Sequence, residues 1–78
     1  MTVTQAFDGV AEMLAKLDPA KIVELYATPE MSNQVEELVN KKKAGDISFE
    51  EILELERYLA LDMLISMAKA RARHLLAA

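Results

Sequence analysis

The sequence predicts an all-α fold: three short helices packed on one long C-terminal helix, a helical bundle that pairs with a second copy of itself. Three observations carry that expectation. Apolar residues recur at spacings of three and four through most of the chain, the period of one helix face. A Thr, Asp or Ser stands before each such run, and two of these are followed by proline, as helix starts favour. Neither glycine nor proline occurs after Gly45, so nothing interrupts a helix in the remainder of the chain.

The first helix is expected over about residues 4–17, where Val3, Phe7, Val10, Leu14 and Leu17 form one apolar stripe. Thr2 with Gln5 makes one candidate capping box and Thr4 is an equally good cap, so two starts stay open. Gly9 costs this helix about 1 kcal/mol relative to alanine, and reads either as a tolerated weak point or as a close-packing spot.

Asp18 and Pro19 are an N-cap followed by a first-turn proline, which predicts a second helix over 19–27 carrying Ile22, Val23, Leu25 and Tyr26. Thr28 and Pro29 repeat the signal for a third helix over 29–44, with Met31, Val35, Leu38 and Val39 on its apolar face. Lys41, Lys42 and Lys43 close it. They complement the negative end of the helix dipole or form a patch for an anionic partner; no aromatic is interleaved with them, which makes a weak nucleic-acid signal. A helix-turn-helix reading of helices three and four lacks support from the charge.

The strongest local signal is ISFEEI, residues 47–52. Ser48 is the N-cap, Glu51 completes a capping box, and Ile47 and Ile52 hold the two positions of a hydrophobic staple. The fourth helix is then expected over 49–76, or ~42 Å at 1.5 Å per residue. A compact domain of this length is only ~30 Å across, so the helix outruns it.

Within that helix Asp62 interrupts the run YLALDMLISMA. A turn of 100° per residue places Glu51, Asp62, Ser66, Lys69 and Arg73 on one narrow strip with Tyr58 at its edge, so Asp62 is expected to face water. The competing reading, a buried functional carboxylate, has no second carboxylate or histidine beside it at ligand spacing. The rest of the circumference is apolar, more than three short helices can cover, and a second copy is the economical cover. The expected interface comprises Leu59, Met63, Leu64 and Met67 with the acidic Glu54 and Glu56 and the basic Lys69, Arg71 and Arg73. Two such helices running antiparallel would set the acidic half of one beside the basic half of the other.

Composition points the same way. A chain of 78 residues reads as a single domain, 1–78, near the size where a core alone stabilises by only a few kcal/mol, yet it is 53% hydrophobic with no cysteine to staple it. Self-association is the remaining stabiliser. The formal charge of −4 argues against a nucleic-acid partner, since phosphate binding needs a basic surface. The amino-terminal residues lack the basic start and apolar run of a signal peptide, and no stretch has the length of a membrane span; both place the chain in the cytoplasm and away from membranes.

No catalytic constellation, cofactor loop or metal-ligand set is read from the residues. Glu50, Glu51, Glu54 and Glu56 lack the Glu-x-x-His partners of carboxylate-bridged metal bundles, and His74 stands without a Ser or Cys nucleophile at a recognisable spacing. The expectation is a non-enzymatic protein. The five methionines read as core filler or as an adaptable partner-binding surface.

Residues 29–72 resemble a group of short bacterial helical proteins whose pattern is a helix ending near EELxxxxxxG, a turn with a hydrophobe and Ser or Thr, then EExxELExYLxLxxLxxxAKARA. The matching positions are Glu37, Leu38, Gly45, Ile47, Ser48, Glu50, Glu51, Glu54, Leu55, Glu56, Tyr58, Leu59, Leu61, Leu64, Ala68, Lys69, Ala70, Arg71 and Ala72. The resemblance implies an antitoxin-like partner of a toxin or nuclease, and the acidic charge suits a basic protein partner. No ribbon-helix-helix arm is visible in residues 1–28. The alternative is a structural or regulatory dimer with no toxin partner.

Overall fold

The computed structural model describes all 78 residues, and every regular element is a helix: α1 (Val3–Leu17), α2 (Pro19–Ile22), α3 (Pro29–Ala44) and α4 (Phe49–Ala77). They group into two compact units, residues 1–25 with 62–78, and residues 26–61. The long helix contributes to both. No helix is long and apolar enough to cross a membrane.

In the first unit α1 begins at Val3, one residue before the expected start. Thr2 is the cap: the Gln5 amide donates to Thr2 Oγ1 at 3.1 Å and the Thr2 amide donates to Gln5 Oε1 at 2.8 Å. This reciprocal pair satisfies two donors that the first turn leaves free, a gain Thr4 alone has no partner to match. Asp18 ends α1 and caps α2, accepting from the Lys21 amide at 3.2 Å.

The expected second helix over 19–27 stops at Ile22. The next amides, Glu24 and Leu25, donate to Lys21 and Ile22, three residues back, and the chain then opens. Both bonds are of the i→i+3 kind, and Pro29 drives only the residue before it, Thr28, out of the α region. Thr28 accordingly is extended and caps α3, accepting from the Met31 amide at 3.2 Å.

The burial of α1 also differs from its apolar stripe. Ala11 and Ala15 are fully buried and Phe7 and Leu14 half-buried, whereas Val3, Val10 and Leu17 are 73%, 45% and 80% exposed. On α4 the buried residues of this unit are Ala68 and Ala72. Each helix thus buries an alanine pair at a spacing of four, and residues this small let two helix backbones approach closely.

In the second unit α3 lies with residues 49–61 of α4. Its lysine-rich end closes on Gly45, whose φ of 77° is the left-handed conformation that glycine adopts without a Cβ penalty. The Asp46 amide donates to the Lys41 carbonyl at 3.0 Å and the Gly45 amide to that of Lys42 at 3.2 Å, the double bond of a Schellman stop. Ser48 and Glu51 form the capping box expected of them, both bonds at 3.1 Å, and Ile47 and Ile52 are half-buried. Leu38 and Leu55 are the buried core.

Candidate interaction surface

Polar contacts in the second unit hold α3 to the start of α4. Lys41 Nζ donates to Glu51 Oε2 at 2.5 Å, and Tyr58 Oη donates to Gln34 Oε1 at 2.6 Å. The Lys41 bond, with the Ser48 amide, holds the Glu51 carboxyl down at about 2, and the same bond and charge push Lys41 upward. The lysine ends one helix and the glutamate starts the next, so each complements its own helix dipole as well as the other.

Arg71 organises the first unit. It donates to Asp8 from Nε, at 3.1 Å, and from Nη2, and lies 3.6 Å from Glu12; the Asp8 bond raises its already high pKa. Beside this cluster is an open groove of about 350 Å³, lined by Asp8, Glu12, Met67, Ala70, Arg71, His74 and Leu75. Its one guanidinium already faces two carboxylates, and its lining has no Ser, Thr or Cys side chain to act as a nucleophile. No group of three or more His, Cys, Asp or Glu side chains is placed to hold a metal ion.

The residues expected at an interface have separate fates. Leu59 is 56% and Met63 41% exposed, and Leu64 and Met67 are half-buried. Glu54 pairs with Arg57 at 2.8 Å and Glu56 is exposed. Two of the three cations are engaged inside the first unit: Lys69 Nζ donates to the Leu25 carbonyl at 2.6 Å, and Arg71 holds Asp8 and Glu12. Arg73 is exposed and makes no ion pair. Asp62 faces water, as its place on the polar strip requires.

Nothing local in the sequence marks Asp8, whose partner lies 63 residues away. The apolar stripe of α1 divides between an exposed part, Val3, Val10 and Leu17, and a half-buried part, Phe7 and Leu14, next to the buried Ala11 and Ala15. Comparison with protein-family models, curated proteins and solved structures finds no match to this chain.

Proposed function

We propose that the chain is a non-enzymatic interaction module that self-associates, its working part being exposed apolar surface. One observation carries this reading. The chain exposes 5912 Å², whereas a folded monomer of 8.7 kDa exposes ~4,700 Å². No large side chain is fully buried, so a chain this rich in hydrophobes keeps many of them in water. Association removes that area; a monomer retains it. Within the first unit, exposed Met63 and half-buried Met67 of α4 are candidate contacts between copies; within the second, exposed Leu59 and Glu56 are. Sedimentation equilibrium at micromolar concentration is expected to give a multiple of 8.7 kDa. A monomer alone would overturn the reading.

The antitoxin-like role that the resemblance implies is the narrower form of this proposal. It is favoured by the exposed carboxylates Glu50, Glu54 and Glu56 and the net charge of −4, which suit a basic toxin or nuclease, since opposite potentials speed encounter and reject wrong partners. Coexpression with the product of the neighbouring gene tests it: copurification and relief of toxicity support it, and failure of both leaves the structural or regulatory dimer.

A further inference from the structure

We propose that the outward face of α1 is a helix-pairing seam for α1 of a second copy. The inference rests on the self-association reading and assigns it a surface. Val3, Ala6, Val10, Met13 and Leu17 are all exposed, the four larger ones at 73%, 45%, 68% and 80%. Their spacings alternate three and four, so Val3, Val10 and Leu17 take one core position of a heptad repeat and Ala6 and Met13 the other. Together they span an arc of only ~80° of the helix.

The stripe is unusual in what it lacks. The charged residues of α1 are Asp8, Glu12 and Lys16, spaced by four on a different strip of the helix. Asp8 and Glu12 face Arg71, and Lys16 lies 3.5 Å from Glu12. Beside the inward face of Ala11, Ala15, Phe7 and Leu14, the helix therefore carries a second, uncharged apolar stripe that is turned to water.

A second copy is the occupant that fits. The stripe is uncharged, so it gives neither a basic nor an acidic partner an electrostatic handle, and an acidic chain is poorly suited to anionic lipid. Against its own copy a neutral apolar seam meets its complement without like charges opposing.

Val10 is the midpoint of the stripe, and this gives a sharp test. Whether two copies of α1 pair in register parallel or antiparallel about a twofold axis, Val10 meets Val10 of the second copy. The chain has no cysteine, so a single Val10→Cys is unique. In the full chain under mild oxidation it is expected to form disulfide dimers at least tenfold faster than Asn33→Cys, an exposed position on α3. Met13→Glu is expected to weaken self-association at least tenfold in sedimentation, with helical content unchanged by circular dichroism.

If the wild type sediments only as a monomer, both this inference and the self-association reading fall, and flotation with neutral vesicles would then assign the stripe to lipid. If the wild type is a dimer that Met63→Glu dissociates and Met13→Glu does not, the seam is overturned while self-association stands. Should both variants dissociate or lose helix, the cross-linking rates decide: equal rates for Val10→Cys and Asn33→Cys overturn the seam.

Discussion

Arg71 of α4 reaches back 63 residues to the Asp8 carboxylate of α1 and donates to it from two nitrogens. Ala72, the next residue, is fully buried, so the ion pair borders the alanine-lined contact of the first unit. A planar fork on a carboxylate fixes the rotation of one helix against another, which a stripe of alanines does not do alone. Replacing Arg71 by Met is expected to lower stability and to loosen the first turns of α1. A double-mutant cycle of Arg71→Met with Asp8→Asn, read by urea unfolding, checks the pair. Additive effects would remove it from the account.

The alanine contact makes a steeper prediction. Ala72→Leu inserts a branched side chain at a fully buried position and is expected to cost about 1–3 kcal/mol, with Ala11→Leu behaving alike. Ala70→Leu, at an exposed position of the same helix, is expected to stay within about 0.5 kcal/mol. Chemical denaturation of the three variants separates them, and equal losses would show that these alanines are not the contact.

These two contacts mark what the sequence did and did not disclose. Helix existence was legible because caps are local: Thr2 with Gln5, Asp18 with Pro19, Thr28 with Pro29 and Ser48 with Glu51 each lie within three residues. The stop at Gly45 is local too. The early end of α2 is not legible locally: Ile22, Val23, Leu25 and Tyr26 keep a helical spacing, and Pro29 excludes only residue 28 from the α region. The buried face of α1 was not legible from hydrophobicity, because a scale ranks Val10 and Leu17 above Ala11 and Ala15. Burial follows the opposite order. As for the candidate surface, Leu59, Met63 and Arg73 are exposed, whereas Lys69 and Arg71 have partners within the chain that only the tertiary fold supplies.

The second unit has a leucine core and should respond to truncation. Leu38→Ala and Leu55→Ala are each expected to destabilise by about 2–5 kcal/mol, the range for buried leucine. Calorimetry on each variant checks this, and a loss near zero at Leu55 would mean that α3 does not lean on α4 for its stability.

Asp62 bears on the apolar run around it. Exposed and on the polar strip of α4, it is expected to tolerate Asp62→Ala with a change under about 0.5 kcal/mol. A large loss in denaturant midpoint would instead mark the carboxylate as structurally or functionally engaged.

The last prediction concerns acid. Hydrogen bonding from Lys41 and from the Ser48 amide lowers the Glu51 carboxyl from its ordinary 4.5 to about 2. A depressed carboxyl binds fewer protons folded than unfolded, so its contribution to stability is whole above the ordinary value and disappears as pH falls toward 2. Glu51→Gln keeps a side-chain oxygen for the Ser48 amide and removes the charge, which isolates the bond to Lys41 from the cap. The expected result is a wild-type advantage in urea midpoint that is constant from pH 7 to about 5 and narrows between about 4.5 and 2. Lys41 is exposed, so molar salt should shrink the advantage at neutral pH as well. An advantage unchanged from pH 7 to pH 2 would show that the Glu51 charge does not contribute, and the junction of α3 with α4 would then rest on Ser48, Gly45 and the leucine core.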